Sequence, residues 1–223
     1  MTRANSFVLF DYDGVLVDTL PRYIHVATKI AERFGNGSQI TKDVVRSNWG
    51  GGWQNFYGRV LGVPEEKMTA ATAYYRELQH DNAPPPLFEG IETAVKKLAE
   101  SYKLFIITAS NIKNVRNVLG SHKLESFFED IFCQESLPNV RKGDPRFFLI
   151  PMQKWGVVPN RTVSIGDTID EIVMGEKASV KTIACAWGWQ STELLEQTHP
   201  DALISSPNQL VETVSKLLPK NEL

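Results

Sequence analysis

Two aspartates, Asp11 and Asp13, end a short apolar run and are followed at once by Gly14 in the segment FVLFDYDGVLVDT, residues 7–19. The alternation of an extended chain turns both carboxylates to one side. Carboxylates held that close repel unless a cation or a shared proton relieves them. A simple turn uses the same residue types. A calcium loop does not fit, because counting from Asp11 it needs glycine where Leu16 stands and a carboxylate where Arg22 stands. A second acidic group, Asp167 with Asp170 and Glu171, follows the apolar run 163–166. Asp167 and Glu171, four apart, share one face if a helix starts there. Read alone, GDTIDE also describes a helix N-cap with first-turn acids.

Taken together, the two groups call for a hard divalent cation with oxygen ligands. Mg²⁺ fits, since it uses few carboxylates and keeps waters for a phosphate. Two further pieces suit an anion. IITASN, residues 106–111, is an apolar run ending in Thr108, Ser110 and Asn111, which can open a helix whose first N–H groups favour phosphate. Lys142 in RKGDP precedes another candidate helix. By itself such a lysine is a solvated surface charge; its interest comes from its company.

These residues need a scaffold. The runs 6–10, 103–108, 162–165 and 181–186 read as buried strands, with 130–133 weaker and 202–204 a possible edge. Amphipathic stripes predict helices over 90–102, 147–155 and 209–217. Strand alternating with helix implies a Rossmann-like α/β fold, a parallel sheet with helices on both faces and ligands beyond the strands' carboxyl ends. The alternation breaks after the first strand. Residues 21–34, 41–48, 53–62 and 65–81 read as helices, and 83–86 (APPP) as a stiff connector. The expected division is an α/β core domain of residues 1–19 and 87–223 with a small helical cap domain inserted at 20–86.

Composition narrows the partners. With 223 residues, 42% hydrophobic and 22% charged, the chain is an ordinary globular sequence. A net charge of −2 and dispersed basic residues leave no footprint for nucleic acid or an anionic membrane. No apolar stretch has the length of a membrane span, and Asp11 interrupts the first apolar run too early for a signal peptide; a cytoplasmic location is expected. Cys133 and Cys185 have no metal or redox spacing and are expected as buried thiols. His25, His80, His122 and His199 show no metal spacing either, and GxSxG is absent.

The ordered segments DYDGVLVDT, FIITAS, RKGDPRFF and SIGDTIDEI resemble the four motifs of the haloacid dehalogenase superfamily, in the branch with a helical cap after the first motif, which includes phosphoglycolate phosphatase and β-phosphoglucomutase. The likeness runs through connecting phrases such as FEGIETAVKKLAE over essentially the whole chain. It implies Asp11 as the nucleophile forming an aspartyl-phosphate, and Asp13 as the acid and base on the leaving oxygen and water. It implies Thr108 at the phosphoryl oxygens and Lys142 offsetting their charge. Mg²⁺ is then held by Asp11, the Asp13 main-chain carbonyl and Asp167, with Glu171 nearby or acting through water.

The chain departs from the pattern at Asp170-Glu171, where Asn-Asp is usual, at Gly143 in place of Pro, and at Ser179 in place of Gly. Asp13 speaks against a dehalogenase, which lacks that residue. Tyr23 stands where the mutase carries a cap histidine, and Pro21 resembles the phosphatases. The expected reaction is hydrolysis of a small phosphorylated metabolite; a phosphomutase and a non-catalytic phosphate binder are the alternatives. For the substrate's far end the segment RSNWGGGWQNFY, residues 46–57, offers Arg46, Trp49, Gly51 and Trp53, beside Ser110 and Asn111 in the core. Aromatic packing within the cap is the competing role for the tryptophans. The chain is expected as a monomer or weak homodimer.

Overall fold

The computed structural model describes residues 6–79 and 84–218. Within them, β1 (Phe7–Phe10) is followed by α1 (Leu20–Phe34), α2 (Lys42–Asn48), α3 (Trp53–Arg59) and α4 (Met68–Gln79) before the next strand. The chain then alternates: α5 (Ile91–Ala99), β2 (Lys103–Thr108), α6 (Ile112–Ser121), β3 (Phe128–Cys133), α7 (Arg146–Trp155), β4 (Thr162–Gly166), α8 (Ile169–Lys177), β5 (Lys181–Cys185), α9 (Thr192–Glu196), β6 (Ala202–Ile204) and α10 (Leu210–Leu217). The six strands form one sheet in the order β3-β2-β1-β4-β5-β6, every pair parallel. This is the expected α/β fold.

β1 is buried along its whole length because both faces of the sheet are covered. Its side chains alternate. Val8 and Phe10 join Leu98, Leu104, Leu119 and Val214 on the face covered by α5, α6 and α10. Phe7 and Leu9 join Phe147, Met152 and Met174 on the face covered by α7 and α8. Strand order reverses between β1 and β4, so the loops leaving them part to opposite sides and open a crevice there.

Helices α1–α4 bury a hydrophobic cluster of their own, with Tyr23, Val26, Ile30, Val45, Phe56, Tyr57 and Leu61 among its members. One residue from far along the chain, Trp189, belongs to the same cluster. The chain enters and leaves this helical unit side by side: Val17 and Leu87 form an antiparallel bridge, Asp18 N donates to Pro86 O at 2.9 Å and Phe88 N to Leu16 O at 3.1 Å.

Several boundaries differ from expectation. α3 stops at Arg59 because Val60 and Leu61 both turn back onto Phe56 O and Gly62 adopts φ +66°, where a further helical residue is not possible. α5 ends at Ala99; Ser101 and Tyr102 both close onto Leu98 O, and Tyr102 stays buried beyond the helix proper. The stretch over 65–81 divides into a tight turn, Glu65–Lys67, and α4, with residues 80–83, including Ala83 of the connector and His80, outside the described chain. β3 begins two residues before the expected 130–133, at buried Phe128, because Glu129, although polar, stands exposed on an edge strand. No described helix is long and apolar enough to cross a membrane.

Candidate active site

Three neighbouring strands deliver the motif residues to one edge. Asp11 follows β1, Thr108 ends β2 beside it, and Asp167 follows β4 on the other side. Asp11 N donates to Ile165 O at 2.9 Å, which carries the sheet pairing one residue past the strand and fixes where the carboxylate leaves the backbone.

Asp11, Asp167 and Glu171 are buried and offer carboxylate oxygens that all lie within 4.8 Å of one another. Lys142 reaches into this group, with Nζ 2.9 Å from Asp11 Oδ2 and 2.6 Å from Glu171 Oε1. Burial pushes the Asp11 carboxyl up to about 7, against the pull of Lys142 and with Glu171 and Asp13 adding to the rise. Burial likewise holds Asp167 well above the usual carboxylate range, aided by Glu171 and Asp11. Burial alone would lower Lys142, yet Asp11 and Glu171 outweigh it and keep the ammonium charged. Asp11 Oδ1 and Asp167 Oδ1 are buried with no hydrogen-bond partner among the described residues. Orphaned oxygens of this kind are costly unless something outside the chain binds them. The donor set, all carboxylate oxygen, fits a hard divalent ion.

Asp167 occupies a slot that only glycine walls allow. A β-carbon on Gly14 would stand 2.0 Å from its Oδ2, and one on Gly188 2.2 Å from the same atom. Trp189 N donates to that oxygen at 2.6 Å. Glu171 organises the turn that follows: its Oε2 accepts from Thr168 N and Thr168 Oγ1, both at 2.7 Å, and from Asp167 N at 3.2 Å, a reciprocal capping box at the start of α8. The N-cap reading of GDTIDE is met by Glu171 Oε2, while its Oε1 faces Lys142. Asp170 lies outside the cluster, with its carboxylate against Gly143, whose φ of +100° and open α-carbon make room for it.

Asp13 is partly exposed and accepts a hydrogen bond from Ser110 Oγ at 2.5 Å. Thr108 is fully buried, and its Oγ1 accepts from Ser110 N at 3.0 Å, leaving its own proton to donate. Asn111 takes a different place from the one its motif suggests. Its Oδ1 accepts from Lys113 N and Asn114 N, while Nδ2 donates to Glu135, whose other oxygen accepts from Ile112 N. The first turn of α6 is therefore already capped by this chain, and a phosphate would depend on the Thr108–Ser110 loop rather than on that helix end.

The candidates from 46–57 mostly engage the protein itself. Arg46 is directed to the core, donating from Nη1 to Gly188 O at 2.7 Å and from Nη2 to Ala186 O at 2.9 Å. Trp49 packs edge-on against Tyr23 and Trp189, with ring centres 4.9 and 4.6 Å away. Trp53 lies against Tyr57 at 5.2 Å and is partly exposed, lining a groove with Met68 and Thr72. Gly51 is exposed with φ +67° in the loop between α2 and α3. For Trp49 and Trp53 these ring contacts are those of the aromatic packing role.

Residues that the motifs did not single out complete the surroundings. Glu135 had no signal in CQES, since only the fold brings it to α6. The Trp187-Gly188-Trp189 run follows β5, and its backbone holds Asp167 through Trp189 N. Burial pushes the Tyr75 phenol up to about 12, with Asp13 adding to the rise and Arg22 opposing it. A groove of about 790 Å³ lined by Asn160, Lys181, His199 and Asp201 lies at the opposite, amino-terminal edge of the strands. The two cysteines are buried and unpaired.

The family model described as haloacid dehalogenase-like hydrolase matches residues 8–185. A phosphoglycolate phosphatase of Psychrobacter arcticus is 24% identical over 228 residues, covering 97% of this chain and 98% of that protein. The pyrophosphatase PpaX of Halalkalibacterium halodurans is 27% identical over 208 residues, covering 93% and 95%. Among solved structures, a haloacid dehalogenase-like hydrolase of Streptococcus pneumoniae superposes with a TM-score of 0.79 at 20% identity, covering 93% of this chain and 97% of that one. The sheet order, the acidic strand ends and the match across all four motifs agree: the chain belongs to the haloacid dehalogenase-like hydrolases.

Proposed function

We propose that this protein is a Mg²⁺-dependent phosphatase that hydrolyses a small phosphomonoester through an aspartyl-phosphate, with the helices of residues 20–86 acting as a cap over the core. The observation that carries the reading is Asp11: one carboxylate oxygen is held by Lys142 at 2.9 Å and the other is buried at the end of β1 without a partner among the described residues. Asp11, Asp167 and Glu171 are the side chains that would hold Mg²⁺, with the Asp13 main-chain carbonyl as a further ligand. When bound, the ion neutralises charge on the transferring phosphoryl group and on Asp11.

The chain's own residues account for the rest. A carboxylate oxygen of Asp11 attacks phosphorus, and the bond from phosphorus to the ester oxygen breaks. Asp13 gives its proton to that leaving oxygen, so an alcohol departs and Asp13 is left as a carboxylate. Asp13 then takes a proton from water, whose oxygen attacks phosphorus and displaces the Asp11 carboxylate. Phosphate leaves, with Asp11 ionised and Asp13 protonated as at the start. Ser110, donating to Asp13 Oδ2, holds that carboxyl in place for both transfers. Thr108 donates to a phosphoryl oxygen, and Lys142 offsets the charge that builds there.

Hydrolysis is favoured over the mutase reaction by Tyr23. Burial holds its phenol well above the usual range, so it is a poor proton carrier at the place where the mutase has histidine. Thr19 Oγ1, Tyr23 Oη and Trp189 Nε1 are buried without partners among the described residues, near the cap–core junction. They suit a substrate whose far end carries acceptor oxygens, as phosphoglycolate and pyrophosphate do.

The test is phosphate release from p-nitrophenyl phosphate, phosphoglycolate, pyrophosphate and hexose phosphates, with Mg²⁺ or EDTA, beside Asp11→Asn. Release that needs Mg²⁺ and vanishes in Asp11→Asn is expected. Turnover surviving in Asp11→Asn would remove the nucleophile and overturn the mechanism.

A further inference from the structure

The segment 186–191 is gripped from two sides. From the helical side, the Arg46 guanidinium donates to Ala186 O and Gly188 O at 2.9 and 2.7 Å. Gln190 Nε2 donates to Trp49 O at 2.5 Å, Ser191 N to Arg46 O at 3.2 Å, and the Trp189 indole lies 4.7 Å from the Tyr23 ring. From the sheet side, Trp189 N donates to Asp167 Oδ2 at 2.6 Å, and Gln190 N to Asp167 O at 3.3 Å. Gln190 Oε1 accepts from Ile169 N at 2.5 Å, at the start of α8.

The two grips meet in one peptide unit. The carbonyl of Gly188 and the N–H of Trp189 belong to the same planar amide. Arg46 holds one edge of that plane and Asp167 Oδ2 accepts from the other. Because the plane is rigid, a displacement of Arg46 that turns the Gly188 carbonyl also turns the N–H that orients Asp167. The fork geometry of the guanidinium, with both terminal nitrogens engaged, fixes the plane's angle as well as its position. Gly188 has no β-carbon to obstruct the approach, and one placed there would stand 2.2 Å from Asp167 Oδ2.

We propose that Arg46 is a positioning residue that couples the seating of the helical unit to the orientation of Asp167 through the Gly188–Trp189 peptide, so that cation affinity depends on how that unit is seated. This rests on the reading of Asp167 as a cation ligand. It assigns Arg46 a part in cation binding in place of contact with the substrate's far end.

The experiment titrates Mn²⁺ against wild type, Arg46→Ala, Arg46→Lys and Arg59→Ala, following free Mn²⁺ by electron paramagnetic resonance. Arg59 bonds to Asn48 and, among the described residues, to no group of the core, so it serves as the control. Arg46→Ala is expected to bind Mn²⁺ about tenfold more weakly, the low end for a residue that orients a ligand from behind. Arg46→Lys, able to serve one carbonyl, falls between, and Arg59→Ala matches wild type. At saturating metal, KM for p-nitrophenyl phosphate stays at the wild-type value in Arg46→Ala. Should Arg46→Ala lose its far-ultraviolet circular dichroism, Arg46→Lys carries the same comparison. Unchanged Mn²⁺ affinity, or an effect confined to KM, overturns the coupling and returns Arg46 to the substrate. A wild type that binds no Mn²⁺ overturns the cation site as well, a separate and recognisable failure.

Discussion

Gly14 lies so close to Asp167 that a β-carbon on it would stand 2.0 Å from the Asp167 carboxylate. The glycine after the two aspartates of the first motif therefore does more than turn the chain: it is one wall of the slot that holds the acid of the fourth. Its φ of +78° adds a second reason, since L side chains avoid that region. Gly14→Ala is expected to push Asp167 out of place and lower kcat about a hundredfold, in keeping with the sensitivity of such sites to ångström-scale shifts. Circular dichroism should remain that of a folded protein. Activity within threefold of wild type would show that the slot is not needed.

Lys142 is the cation between Asp11 and Glu171, and its side chain is only 20% exposed. Replacing it with methionine leaves two acids facing each other in a buried site. Removing one partner of a buried pair typically costs about 3–5 kcal/mol. Urea unfolding in EDTA should show a loss of that order, and phosphate release should fall below detection. A stability loss under about 1 kcal/mol would mean the acids had neutralised themselves.

Asp11 links metal binding to pH. Its carboxyl is raised to about 7 in the folded protein, while the unfolded chain releases that proton near pH 4. Between those values the folded state binds more protons, so the metal-free protein should lose stability as pH rises from about 4 to about 7. A cation must displace the same proton, so the gain in Tm on adding Mg²⁺ should be small at pH 5 and full above about pH 8. Thermal shift with EDTA or Mg²⁺ across that range measures both slopes. A Mg²⁺ effect that is flat with pH would contradict the assignment.

Ser110 donates to Asp13 at 2.5 Å, and no other side chain is seen to fix that carboxyl among the described residues. Ser110→Ala should lower kcat roughly tenfold through looser proton transfer, within the range assigned to acid–base groups, and leave KM unchanged. The loss should be larger for alkyl phosphates, whose leaving oxygen needs a proton, than for p-nitrophenyl phosphate. An equal loss on both would place Ser110 at the phosphoryl group instead.

Most of the fold was legible because β1, β2, β4 and β5 are short, apolar and bounded by polar turns, and because α1 and α5 carry regular stripes. The break in alternation after β1 announced the inserted helices. The acidic strand ends were equally plain, since an Asp directly after a buried strand stands at the edge of the sheet where ligands bind. What the sequence hid were contacts that depend on where distant segments meet. Arg46 and Gly188 lie far apart in the chain, and nothing local to SNWGGGW says that its flanking arginine faces the backbone after β5. Glu135 reaches the start of α6 only because β3 runs beside β2.

The bridge between Val17 and Leu87 has a consequence for how such a protein can change. Paired neighbours in an antiparallel bridge stand about 5 Å apart, a gap that a two-residue turn can close. The helical insert is thus hung on the two arms of a hairpin, and its length and content place no demand on the register of β1 or β2. A lineage can trade one insert for another and keep the same sheet.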